Sequence, residues 1–300
     1  MHMEKYKFIE KLGRGTHGTV YLLESPNKKD LVCKSVIEKH LKHAKREVSI
    51  LSKLSHKRII KLVEFIQAKG SSFIILEYAN RGTLETVISF FIQKNRKATD
   101  FLLWSVLSQV SEGLEYLHSK NIIHRDIKPS NILINSIEFN KDEILEFKIC
   151  DFSLSYQMED EFVESSIVGT PFYMAPEIIN KNKYNTSVDI WGLGVTLYEL
   201  GTLNKPFQGE TRAELYKQIK KQQIKPGFIK DKDLEDLVLQ CFRRTNRISA
   251  ANIIKNYSVR LHLSMLDMKI KDMRIEELEK KIKMLEKKLE WPPTPTNKNI

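Results

Sequence analysis

The 300-residue sequence predicts an α+β protein of two lobes, a small strand-rich lobe with one helix and then a larger helical lobe, followed by a C-terminal helix or coiled coil. Three observations predict it. The first 80 residues fall into short apolar runs broken by glycines and turn residues. From about residue 83 the apolar residues recur at helical spacing. Beyond residue 258 the composition shifts to Lys, Glu, Leu and Met in a heptad-like rhythm.

The strand runs are KFIEKLGRG, TVYLLES and DLVCKSVI, the last two separated by the turn-like SPNKKD. HAKREVSILSKL carries apolar residues at helical spacing, and FIILEYANRG reads as a buried strand ending in turn residues. The helical lobe is written in TLETVISFFIQ, FLLWSVLSQVSEGLEYLHSK, VDIWGLGVTLYELGT and RAELYKQIKKQ. Between them NSIEFNKDEILE reads as an enlarged hairpin. The chain closes on WPPTPTNKNI, a proline-broken stretch expected to be disordered over 292–300.

A hydrophobic share of 41% and a charged share of 29% are those of a soluble globular chain. No apolar run approaches the ~20 residues of a spanning helix, so no membrane is expected. Cys33, Cys150 and Cys241 form no metal or disulfide spacing, which points to a reducing compartment, cytoplasmic or nuclear. The net charge of +11 favours acidic partners, although a lysine-rich solvated surface accounts for it as simply, and nucleic acid is not an expected partner.

Two constellations carry chemistry. In LGRGTHGTV, Gly13, Gly15 and Gly18 let a backbone turn bring N–H groups close to phosphate oxygens without a Cβ in the way. These glycines sit between two strands rather than between strand and helix, which argues against a dinucleotide fold. Lys34 follows on the next strand among apolar neighbours, where an ammonium needs a partner, and Glu47 on the following helix can supply one. The second constellation is IIHRDIKPSNIL, followed downstream by KICDFSLS.

With GTPFYMAPE and DIWGLG in the same order, these motifs make residues 6–258 resemble the eukaryotic protein kinases. The resemblance implies a bilobal kinase fold with a small antiparallel-sheet N-lobe over about 6–79 and a helical C-lobe over about 80–258. It implies ATP and Mg²⁺ as cofactors, protein substrates, and transfer of the terminal phosphate to hydroxyls. By the family pattern Asp126 takes the acceptor proton, Lys128 neutralises the moving phosphoryl group, and Asn131 and Asp151 hold Mg²⁺. Lys34 and Glu47 form the phosphate-binding ion pair. Adenine is expected among Leu12, Val20, Cys33 and Leu133, against backbone near Glu77 and Ala79, with Leu76 behind. Lys128 and Thr170 lean to the serine/threonine type. LYELGTLNKPFQG and VGTPFYMAPE resemble the NIMA-related kinases, and DFSLS is similar to the calcium/calmodulin-dependent group.

Ser153 stands where the family has glycine. A Cβ there makes positive-φ conformers costlier by roughly 1 kcal/mol, hindering an inactive flip while removing no ligand. An active enzyme is the expectation, with a silent nucleotide-binding scaffold as the rival. Arg125 is the residue that would pair with a phosphate on the activation segment, at Ser166 or next at Ser165, and Thr170 is expected to touch the catalytic loop. Glu177 and Arg247 resemble the family's buried ion pair. Ser130, where arginine-directed relatives carry Glu, argues against strong dependence on an upstream Arg.

Residues 259–291 hold two apolar stripes. Leu263, Leu266, Ile270 and Met273 are expected to dock on the lobe. Ile275, Leu278, Ile282, Leu285 and Leu289 keep 3–4 spacing, with β-branched a and Leu d positions that favour a parallel homodimer or a coiled-coil partner.

Overall fold

The computed structural model describes residues 3–15, 18–68, 70–140, 142–159 and 168–289. The expected tail 292–300 and the candidate phosphosites Ser165 and Ser166 lie outside these residues.

The N-terminal lobe is a five-stranded antiparallel sheet in the order β1-β2-β3-β5-β4, from β1 (Lys7–Gly15), β2 (Gly18–Glu24), β3 (Asp30–Ile37), β4 (Leu62–Ala68) and β5 (Ser71–Glu77). Helix α1 (Leu41–Leu51) packs beneath it and buries Ala44, Glu47, Ile50 and Leu51. Strand alternation divides the sheet between two cores. Tyr6, Leu23, Cys33, Ile66 and Ile75 form a small cluster on one face, while Val36, Ile74 and Leu76 join the main core on the other.

The C-terminal lobe is built on α3 (Asp100–Ser119) and α5 (Ser187–Thr202), both largely buried. Around them lie α2 (Leu84–Gln93), the short α4 (Pro176–Ile179), α6 (Arg212–Lys221), α7 (Lys232–Cys241) and α8 (Ala250–Lys255). Their starts are written in local sequence: Thr83, Thr99, Thr211, Asp231 and Ser249 each accept a backbone N–H from the first turn. Two-residue strands β6 (Ile122–Ile123) and β9 (Tyr156–Gln157) pair across the cleft floor, as do β7 (Ile132–Phe139) and β8 (Asp142–Ile149).

Helix α9 (Tyr257–Leu289) runs from α8 along α3. Of the expected inner stripe, Met273 is buried, Leu263 packs on the core, and Leu266 and Ile270 are half-buried; Val259, outside that stripe, is buried as well. His262 lies 4.9 Å from the Phe101 ring. The enlarged hairpin finds its role here. Lys269 pairs with Asp142 at 3.0 Å, Asn140 donates to Glu276 at 3.1 Å, and Lys280 sits 4.6 Å over the Phe139 ring while also bonding Asn140. The β7–β8 tip is therefore a cradle for the tail helix. At its other end it holds the hinge between the lobes, through Lys148 to Glu77 at 3.0 Å and Ser136 N–H to Asn80 at 2.7 Å.

Candidate active site

Seven residues from both lobes meet in one cleft through an unbroken run of contacts. Lys34 on β3 donates to Glu47 on α1 at 2.7 Å and to Asp151 at 3.0 Å. The residue before Asp151, Cys150, donates its N–H to the carbonyl of Asn131 at 3.0 Å. Asn131 Nδ2 donates to Asp126 Oδ2 at 3.0 Å and to the Asp126 carbonyl at 2.8 Å. Lys128 completes the run, pairing with Asp126 at 2.7 Å and donating to Thr170 at 2.6 Å. Asp126 Oδ1 also accepts from Thr170 N–H at 3.0 Å and its hydroxyl at 2.8 Å. Thr170 thus fixes the carboxylate's orientation, the contact to the catalytic loop expected of it.

Burial alone would lower the ammonium pKa of Lys34, but the Glu47 and Asp151 carboxylates reverse this and hold it above its usual range. Asp151 shows the mirror image. Burial would raise its pKa, yet the Lys34 charge and hydrogen bond depress it below the ordinary carboxylate range. Both groups are therefore fully charged at neutral pH, as phosphate and metal binding require.

Local backbone geometry presents these groups. Asp151 sits in the left-handed region at φ 62°, followed by a short 3-10 turn over Phe152–Leu154. Phe152 is fully buried and meets the His124 ring edge-on at 4.9 Å. Arg125 is also left-handed at φ 69°, and its Nε donates to the Leu154 carbonyl at 2.6 Å. It donates to the Tyr184 hydroxyl at 3.2 Å and lies 5.3 Å above the Tyr156 ring, so its guanidinium rests on the activation segment. Gly169, at φ +107°, passes so close to the catalytic loop that a Cβ would meet the Arg125 carbonyl at 2.7 Å.

The loop expected to cradle phosphates joins β1 and β2, with Gly15 opposite Gly18 and Gly13 opposite Val20. Gly18 has a second reason to be glycine: a Cβ there would stand 2.1 Å from the Ser35 carbonyl on β3. Leu12 lies in the bulge between Lys11 and Gly13. Leu133 bridges to Thr83, and Leu76 faces the main core. Glu77 accepts from the Lys61 N–H at 2.9 Å as well as from Lys148, so its side chain belongs to the hinge scaffold. Ala79 is buried beside it, and among the described residues its backbone N–H and C=O have no hydrogen-bond partner.

One expected position needs correction. Cys33 does not line the cleft: it is fully buried with Tyr6, Leu23, Ile66 and Ile75 on the far face of the sheet. Side chains alternate along a strand, so the residue sharing Lys34's face is Val32, two positions earlier, which packs against the main core. The thiol belongs to the lobe's packing, and burial pushes it up to about 12.

Asp189 on α5 is a site residue that the motif DIWGLG contained without revealing its role. Wholly buried, it accepts the N–H of Arg125 at 2.8 Å and of His124 at 2.9 Å, and it pairs with His118 at 2.9 Å. A carboxylate inside an apolar helix is the available signal, because a buried charge must be paired. Burial opposes its ionisation, and His118 together with the loop N–H groups restores it below the ordinary value. Tyr173 is a second such residue, donating to Glu199 at 2.5 Å. Among the described residues the Glu177–Arg247 pair closes at 2.6 Å with Arg247 also on the Ser187 carbonyl, which ties the end of the activation segment to the helical lobe.

Comparison with known proteins agrees with this geometry. The protein kinase domain family matches residues 6–259. The chain is 30% identical over 275 residues to probable serine/threonine-protein kinase nek1 of Dictyostelium discoideum, covering 86% of this chain and 57% of that protein. It is 33% identical to serine/threonine-protein kinase Nek5 of Homo sapiens, over 82% of this chain and 35% of that one. It is 35% identical to myosin light chain kinase A of Dictyostelium discoideum, over 71% and 72%. Both expected resemblances, to the NIMA-related and to the calcium/calmodulin-dependent kinases, are thus matched. The chain spans little more than half the length of nek1 and about a third of Nek5. On the family match, the motif order and the assembled cleft together, the chain belongs to the protein kinase domain family, among relatives of the serine/threonine type.

Proposed function

We propose that this chain is an ATP-dependent serine/threonine protein kinase that transfers the terminal phosphate to hydroxyls of protein substrates. The observation that carries the reading is Lys34 held between Glu47 and Asp151, in contact through Asn131 with the Asp126–Lys128–Thr170 cluster.

The residues present fit the nucleotide and metal that the family uses. Ala79 offers an N–H and a C=O in the hinge with no other partner among the described residues, suited to an adenine edge. Asp151 and Asn131 are oxygen donors beside one another, the ligand chemistry of Mg²⁺, which binds through one or two side chains plus phosphates. When bound, the metal neutralises charge on the phosphate oxygens. Lys34 holds phosphate with a charge that neutral pH does not remove. Lys128 is placed to offset charge on the transferred group, and the Asp126 carboxylate takes up the acceptor proton. Catalysis of this kind is positioning and charge stabilisation, with no covalent bond made by the protein. Replacing Asp126 by Asn should abolish phosphate transfer to a generic protein substrate while the melting temperature stays near that of the parent. Transfer at the parent rate would overturn the reading.

The segment that Arg125 rests on supports control by phosphorylation, with Ser166 as the acceptor. In the same assay Ser166→Ala should not respond to phosphorylation that raises the parent's rate; an identical response in both would remove Ser166 from the proposal. The outer stripe of α9, exposed at Ile275, Leu278, Ile282 and Leu285, supports pairing with a second copy of the chain.

A further inference from the structure

The substrate class can be read from the surface that continues the acceptor cleft. A groove of about 330 Å³ lies below α4 and α6, lined by Pro176, Asn180, Asn182, Lys220, Arg244 and the Arg247-paired Glu177. It shares Lys220 with a shallower depression of about 510 Å³ that carries Tyr216, Lys217 and Lys221. Among the described residues no carboxylate pairs with Lys217, Lys220, Lys221 or Arg244. Arg244 is steered by neutral partners, the Gln222 side chain at 2.5 Å and the Lys220 carbonyl. Glu214, the acid of this helix, is turned back on the N–H groups of Glu210 and Thr211, where it caps α6. The basic face therefore has no acid of its own to neutralise it.

The groove is continuous with the place where a protein substrate must lie. Thr170, which contacts Asp126, leads through Pro171–Tyr173 directly to Met174 and α4. Met174 Sδ receives the Tyr216 hydroxyl of α6 at 3.8 Å, so the acceptor loop and the basic helix touch. One carboxylate near the acceptor loop that could attract a basic peptide is already satisfied. Glu199, 8% exposed, accepts from Tyr173 and pairs with Lys205 at 2.9 Å, and the same ammonium lies 5.3 Å over the Phe172 ring. Glu85 on α2 is the acid near Tyr173 left without an ion pair among the described residues, set against the unpaired cations of α6.

We infer that the Lys217–Lys220–Lys221–Arg244 groove docks an acidic segment of the protein substrate flanking the acceptor hydroxyl, making this a kinase of acidic sequences. The inference rests on the phosphotransfer reading for its biological meaning but not for its test. Adjacency to the acceptor loop favours a peptide over a nucleic acid, because a peptide must pass this surface to reach Asp126.

Serine peptides alike except for a flanking run of Glu or of Gln decide it, with the full chain and with a Lys217→Glu, Lys220→Glu, Lys221→Glu variant. Exposed pairs are individually weak and screened by salt, so the preference expected of the parent is about tenfold in kcat/KM at low salt. In the variant that preference should vanish while the Gln peptide reacts at the parent rate. Fluorescence anisotropy of the labelled Glu peptide is measured in parallel and needs no catalysis: tighter binding to parent than to variant supports the groove even if neither peptide is phosphorylated, an outcome that would instead sink the kinase reading. Equal use of both peptides by the parent overturns the inference, as does a preference that survives the charge reversal. Binding of a single-stranded RNA in place of the Glu peptide, lost in the variant, overturns it too.

Discussion

At the scale of single residues, Ser153 shows how a departure from the family pattern can support a site. Its side chain is buried two residues after Asp151. Its backbone does not need the positive φ that glycine would permit; that conformation is taken by Asp151 itself. Serine thus favours the inward Asp151 by making alternative backbone conformers costlier. Ser153→Gly should remove this restraint, worth ~1 kcal/mol, and lower kcat/KM about fivefold. Ser153→Ala, which keeps the Cβ, should stay near the parent. A glycine variant as active as the parent would show that Asp151 needs no such support.

Among the elements, the contact between α9 and α3 carries a titratable group. The Ser105 hydroxyl donates to the Phe101 carbonyl at 2.8 Å, so His262, 2.9 Å away, meets it with a protonated Nε2. Burial lowers the His262 pKa below its ordinary 6.5. Undocked, the imidazole binds a proton more readily than docked, so docking strengthens as pH rises and weakens as pH falls through the range below about 6.5. Hydrogen exchange along 257–273, corrected for the intrinsic rate, should show less protection at pH 5.5 than at pH 7.5. His262→Asn should flatten that difference; an unchanged pH dependence in the variant would place the titration elsewhere. Lys34 and Asp151 contribute nothing to this window. Their shifts lie outside it, the acid's stabilisation being lost only as pH falls below the carboxylate range and the amine's only as pH rises above 10.5.

For the molecule as a whole, the two stripes of α9 stand in different surroundings. The inner stripe is consumed by the lobe and the β7–β8 tip, while Ile275, Leu278, Ile282 and Leu285 remain 45–58% exposed. Arg274 and Lys281 both pair with Glu277 of their own helix, at 2.7 Å and 2.5 Å, and across a parallel pair they would instead face Glu279 and Glu286 of a second copy. The side chain of Leu289, the last of the stripe, lies outside the described residues. Isolated helices of this length are marginal, but docking of the first half supplies the nucleus that the second half lacks. Sedimentation should therefore find a dimer at tens of micromolar, which Ile282→Asp converts to monomer. A parent that sediments as a monomer would leave the stripe without its proposed partner.

By itself the sequence determined the fold class, the order of the lobes, the motifs and the docking stripe of the tail, because period, turn chemistry and spacing are local properties of the chain. Lys34 and Glu47 were legible as a pair since a buried amine needs a partner. Cys33 was misplaced by one strand position, as the motif fixes where Lys34 stands but alternation decides which neighbour shares its face. Three things belonged to the tertiary structure alone: Asp189 beneath the catalytic loop, the β7–β8 tip under α9, and the basic groove beside the acceptor loop. Each depends on residues far apart in the chain, and long-range proximity is set by how helices and sheet pack, which no local pattern encodes.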